Sequence, residues 1–171
     1  VALGTEICLN AAITPSTGDL FVQDNTRARC VHVVGSFDPN DKQADPGDYI
    51  TPTQIANRQA VDYTVRFQNT GNFPATFVRI QDTIGAAFDM GTFRLVSTSH
   101  PCTWSLRNPG VIEFYFANIQ LPPEDLDEPG SHGFVRYTVQ PKQNLPLGLP
   151  LRNTAHIFFD YNTPITTNTT E

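Results

Sequence analysis

Asp38, Asn40 and Asp41 fall together in Gly35-Ser36-Phe37-Asp38-Pro39-Asn40-Asp41-Lys42, and Asp160 and Asn162 in Phe158-Phe159-Asp160-Tyr161-Asn162 near the other end of the chain. Short oxygen-bearing side chains on a bent backbone suit calcium, which takes about six to eight carboxylate, amide and carbonyl oxygens. Asp38, Asn40 and Asp41 could supply three, with Asp45 or Asp48 close by. Asp160, Asn162 and Asn168 add more if the final strand lies beside the first segment. The same residues are equally ordinary turn formers, whose side chains accept from backbone amides. In that reading Lys42 pairs with Asp160 or Asp41 and the two segments form a clasp.

Lys42 suggests a second chemistry. With Asn162 or Asn168, and Asp160 assisting, it matches the composition of self-formed Lys–Asn isopeptide bonds in sandwich domains of surface proteins. Such a bond needs a lysine stripped of its proton in a dry site. Catalysis on an outside substrate is not expected. His32, His100, His132 and His156 share no metal-ligand spacing, and the Ser99-His100 neighbours make no triad by adjacency. His100 and His132 both follow serine and read as loop-holding residues. No nucleophile elbow or phosphate loop occurs. Trp104 with Phe114, Tyr115 and Phe116 could stack on a sugar, or could be core aromatics of a strand. Asn168-Thr169-Thr170 and Asp82-Thr83-Ile84 fit glycosylation patterns; an incidental match and a plain strand end are the simpler readings.

The elements that must position these residues are strands. Fourteen prolines, eleven glycines and one methionine in 171 residues disfavour helices. Val61-Asp62-Tyr63-Thr64-Val65-Arg66-Phe67-Gln68 alternates strictly, a half-buried strand. Asn69-Thr70-Gly71-Asn72 turns the chain, and residues 75–83 return. Further strand runs are 92–98, 111–118, 133–140, 151–160 and 165–169. Residues 120–131 are acidic and proline-rich, expected as an exposed loop, and 141–150 form another connector.

Net charge is −6, from 17 acidic and 11 basic residues without a basic cluster, so nucleic acid is a poor partner. No apolar run is long enough to insert into a membrane. Val1-Ala2-Leu3-Gly4 lacks the regions of a signal peptide, and a processed, trimmed or partial chain is expected. Cys8 and Cys30 are centred on a turn-like segment, so a hairpin would set them face to face for a disulfide, against the alternative of two buried thiols. Cys102 is the odd one, either free or paired between molecules.

Several stretches together resemble C-terminal Ig-like domains of secreted Bacteroidota surface proteins, which precede a type IX secretion sorting domain. They are residues 35–42, Tyr63-Thr64-Val65-Arg66-Phe67-Gln68-Asn69-Thr70-Gly71, Ser99-His100-Pro101, Ser131-His132-Gly133-Phe134-Val135, Leu145-Pro146-Leu147-Gly148, Ile157 to Pro164, and Thr167-Asn168-Thr169. Cys102 departs from the pattern, which has an aromatic after His-Pro. The resemblance implies an all-β, Ig-like antiparallel sandwich over residues 35–171, at the cell surface and non-catalytic. Residues 1–34 look like an N-terminal β-hairpin, the tail of a preceding domain or a pair of donor strands. Two strands alone are marginal in water. Laid on the next subunit they would build a head-to-tail filament, which Cys102 could lock. The expected function is therefore an extracellular structural or adhesion module, self-assembling or joined to neighbouring Ig-like domains. The alternative is a carbohydrate-binding module of a secreted enzyme.

Overall fold

In the computed structural model, residues 6–14, 17–18, 25–32, 39–47, 49–108 and 110–171 are described. Their strands are β1 (Glu6–Ala12), β2 (Thr26–His32), β3 (Lys42–Asp45), β4 (Val61–Gln68), β5 (Val78–Ile84), β6 (Phe88–Thr98), β7 (Thr103–Asn108), β8 (Val111–Phe116), β9 (His132–Pro141), β10 (Asn153–Phe159) and β11 (Ile165–Thr166). The chain divides into two units, residues 1–37 and 38–171. In the first, β1 and β2 pair antiparallel, with Cys8 opposite Cys30.

The second unit is a sandwich of two antiparallel sheets, ordered β3-β4-β9-β6 and β11-β10-β5-β8-β7. Its core follows from strand alternation. Val61, Tyr63, Val65 and Phe67 of β4 are buried, as are Val135, Tyr137 and Val139 of β9. They face Val78 and Ile80 of β5, Ile112, Phe114 and Phe116 of β8, and Ala155, Ile157 and Phe159 of β10. Aromatic rings join the two faces: Phe67 meets Phe116 edge-on at 5.2 Å, and Phe114 stacks on Tyr137 at 5.6 Å. Interleaved inner faces of this kind make a sandwich core.

Three local features differ from the sequence reading. The turn after β4 does not make a hairpin: β4 pairs with β3 and β9, whereas β5 pairs with β8 and β10 in the opposite sheet. Asn69 carries this crossing. Its side-chain amide donates to the carbonyls of Phe73 and Leu121 at 2.9 Å each, and its oxygen accepts from Gly71 N–H. The acidic 120–131 segment is exposed at Leu126 but anchored at both ends, by buried Leu121 paired with Ala75 and by buried Ser131. A five-residue helix, α1 (Pro52–Ala56), begins on a Thr51/Gln54 capping box.

Candidate functional site: a buried Lys42 cluster

Three strand positions that should carry apolar residues carry polar ones. On β5, Asp82 lies in phase with the buried Val78, Ile80 and Ile84. On β10, Asn153 lies in phase with Ala155, Ile157 and Phe159. On β3, Lys42 points inward beside β4, opposite Val65. All three sit in the space between the sheets, where Lys42 and Asp82 side chains are 0% exposed and Asn153 is 2% exposed.

The Lys42 ammonium donates to Asp82 Oδ2, and to Tyr137 Oη at 2.9 Å. Tyr137 Oη donates to the same Asp82 oxygen at 2.7 Å and accepts from Asn153 Nδ2 at 3.0 Å. The Lys42 nitrogen lies 4.8 Å from the Tyr63 ring centroid and 5.4 Å from that of Tyr137, close enough for cation–π attraction. Asp82 Oδ1 and Asn153 Oδ1 are buried without a hydrogen-bond partner. Burial pushes the Lys42 ammonium below its ordinary value, and the charge and hydrogen bond of Asp82 oppose the shift. Burial, with the Asp82 charge second, pushes the Tyr137 and Tyr63 phenols up. Removing two charges from water costs several kcal/mol per ion, so this is an expensive arrangement in a small domain.

The residues first singled out are placed as follows. Asp38 lies outside the described residues. Asn40 Oδ1 accepts from Gln68 N–H at 3.2 Å. Asp41 holds Arg66 through both carboxylate oxygens, at 2.6 and 2.5 Å. Asp160 Oδ1 accepts from Thr76 and Phe77 N–H at 2.8 and 3.0 Å. Asn162 closes a turn onto the Phe159 carbonyl. Lys42 therefore pairs with Asp82 and not with Asp160 or Asp41. Asn168 does reach the first strand, but through the main chain: it accepts from Lys42 N–H at 2.8 Å and donates to Lys42 C=O at 2.9 Å. Among the described residues no three His, Cys, Asp or Glu side chains gather into a metal-binding group.

Cys8 and Cys30 form a disulfide across β1 and β2, with Cα atoms 4.0 Å apart. Cys102 is a free, half-buried thiol donating to Thr103 C=O, and burial pushes it up. The aromatics proposed to face a sugar are divided. Phe114 and Phe116 are core, whereas Trp104 and Tyr115 are both exposed, at 46% and 37%, with Trp104 against Phe93 at 4.7 Å and Tyr115 against Phe77. Ser99 Oγ bonds His100 Nδ1 and accepts from Phe134 N–H, and His132 bonds Glu128, so both histidines hold loops.

Two facing antiparallel sheets with this core define an Ig-like β-sandwich, the fold expected from the sequence. Residues 38–171 match the model of DUF7619, a domain of unknown function, and the chain belongs to that family. Comparison with curated proteins finds no match. Among solved structures, the chain is similar to the major pilin SpaA of Corynebacterium diphtheriae, at 14% identity and TM-score 0.50. That match covers 93% of this chain and 43% of the pilin, whose structure is described as pointing to a modular pilus assembly with stabilizing isopeptide bonds. It is also similar to the Enterococcus faecalis adhesin ACE, at 11% identity and TM-score 0.50, covering 98% of this chain and 59% of that one. A collagen-binding domain from a Staphylococcus aureus adhesin matches at 11% identity and TM-score 0.47, covering 80% of this chain and 96% of the domain. At such identities the likeness is one of fold. The chain spans about half the length of the first two.

Proposed function

We propose that the sandwich is a non-catalytic, load-bearing module of a secreted surface protein, in an adhesin or a filament. The observation that carries this reading is the closed clasp. Lys42, on the first strand of the sandwich, is tied by its main chain to Asn168 in the last segment and by its side chain to Asp82 between the sheets. The cluster's reactive groups face one another and not solvent, which suits a strut and gives an outside substrate no access. The Ig-like fold shared with a pilin and an adhesin supports the same reading.

The finer assignment, to surface proteins of Bacteroidota exported by type IX secretion, is supported by the sequence resemblance. In this proposal the disulfide-linked hairpin serves as donor strands for a neighbouring Ig-like domain or the next copy. Leu9 and Ile13 are 72% and 69% exposed, and an isolated hairpin buries too little to stand alone. Pulling the full chain between its ends tests the mechanical reading. The first rupture is expected at clearly lower force in Asn168→Ala than in wild type, and equal forces would remove the load-bearing role. Glycan binding abolished by Trp104→Ala would favour the carbohydrate-binding alternative.

A further inference from the structure

Amine, carboxyl and carboxamide stand together in the core with nothing else to do. A purely structural clasp would be expected to satisfy its acceptors, because an unpaired buried oxygen is costly and rare. Here one oxygen of Asp82 and one of Asn153 are both left over, within a single dry cluster. The Lys42 and Asn153 nitrogens are held by the same phenol oxygen, at 2.9 and 3.0 Å. Each residue stands on a strand of a packed sandwich, so the groups are oriented before any reaction begins.

We propose that Lys42 Nζ and the side-chain amide of Asn153 condense into an intramolecular isopeptide bond, with Asp82 as proton carrier and Tyr137 as positioning residue. This deepens the load-bearing reading, but the bond is tested independently of it. The Lys42 ammonium first passes a proton to Asp82, giving a neutral amine and a carboxylic acid. The dry surroundings favour this step, because they disfavour the charged pair. The amine lone pair then attacks Asn153 Cγ, and the carbonyl electrons move onto Oδ1. The Asp82 O–H is the donor available to that oxygen, which has no other partner. As the Cγ–Nδ2 bond breaks, a second proton from Nζ reaches Nδ2, and ammonia leaves. Of the three ammonium protons, one stays on the new amide, one leaves in ammonia and one remains on Asp82. Charge and atoms balance without an oxidant or cofactor.

Asn153, and not Asn168, is the partner, because the Asn168 amide is engaged with the Lys42 main chain on both its oxygen and its nitrogen. The bond would join β3 of one sheet to β10 of the other. It would also close a loop holding most of the sandwich.

Intact mass of the reduced, denatured full chain decides the matter. Wild type is expected to be lighter than its sequence by one ammonia, about 17 Da, with digestion giving a branched peptide that joins Lys42 to Asn153. Lys42→Met and the near-isosteric Asp82→Asn are each expected at full sequence mass, and the second retains both reactants. A wild type of sequence mass overturns the bond, even if Asn168→Ala still lowers the rupture force and the mechanical role stands. An ammonia loss that persists in Lys42→Met would be a succinimide and would also overturn it. Should a variant fail to fold, the branched peptide in wild type remains decisive, by its presence or absence. Pulling gives a second readout: wild type should release roughly 370 Å less chain than Lys42→Met, from about 110 shielded residues at full extension.

Discussion

Gly133→Ala is a demanding test of how this core is built. Gly133 sits on β9 directly opposite Phe67 of β4. A Cβ there would lie 2.2 Å from two carbons of the Phe67 ring, more than 1 Å inside ordinary contact distance. The ring has little room to retreat, being fully buried and edge-on to Phe116 at 5.2 Å and Phe159 at 6.3 Å. Overpacking of a well-packed core costs about 1–3 kcal/mol, and this contact belongs near the upper end. Reduced freedom of the unfolded chain returns about 0.4–1 kcal/mol, leaving a net loss of about 2 kcal/mol. For a domain of this size that lowers Tm by roughly 6–8 °C. Thermal unfolding of the full chain followed by circular dichroism measures it. Phe67→Leu should relieve the clash, so the double variant is expected to lose at least about 0.5 kcal/mol less than the sum of the single losses. A Gly133→Ala chain that melts at or above wild type, or strictly additive losses, would refute the reasoning.

Asn168→Ala removes two hydrogen bonds to the Lys42 main chain and should cost about 1–3 kcal/mol; hydrogen exchange at the Lys42 amide, expected to accelerate, checks the site directly. Tyr63 and Tyr137 have folded pKa values above the unfolded value near 10, so their neutral phenols contribute stability that is full below about pH 10 and lost as pH rises beyond it. Phenolate absorbance from these two rings is expected only as the fold is lost, checked by the amplitude missing in Tyr63→Phe and Tyr137→Phe. Chelation is expected to leave Tm unchanged, because Asp41 is neutralised by Arg66 and Asp160 Oδ1 already accepts two amides; a fall in Tm would refute this and support a bound divalent ion.

The clasp and the core answer different physical demands. The aromatic and aliphatic rows of β4, β8, β9 and β10 stabilise the sandwich by burial, and they tolerate no polar group without a partner. Lys42, Asp82 and Asn153 break that rule at one place. A saturated hydrogen-bond network would be the inexpensive way to do so, and this network is not saturated. The leftover oxygens are the atoms that the proposed bond formation would use.

Period-2 alternation made most of the strands legible, and the family resemblance implied the sandwich. Val61, Tyr63, Val65 and Phe67 name their face without any neighbour in view, because strand side chains must alternate. Lys42 stands out in the sequence only as one option, an amine for Asn162 or Asn168 or an ion-pair partner for Asp160 or Asp41. Nearness in the two polar segments suggests Asp160 or Asp41 as its acid, and the partner is Asp82 instead. A stronger signal was present: Asp82 and Asn153 occupy the apolar phase of their strands, where a polar residue is out of place. The four-residue β3 carries too few alternating residues to declare itself, and the passage from β4 to the opposite sheet has no local signature.

Sequence by itself determined where most of the strands run and, by alternation, which face of β4 is buried. Only tertiary structure decided what Lys42 meets. Its side chain lies between two sheets, and its side-chain partners, Asp82 and Tyr137, are 40 and 95 positions further along the chain. Strand order is set by how two twisted sheets share a core, which no run of neighbouring residues records. Packing therefore turned a polar turn at the domain border into one end of a buried amine–acid–amide cluster.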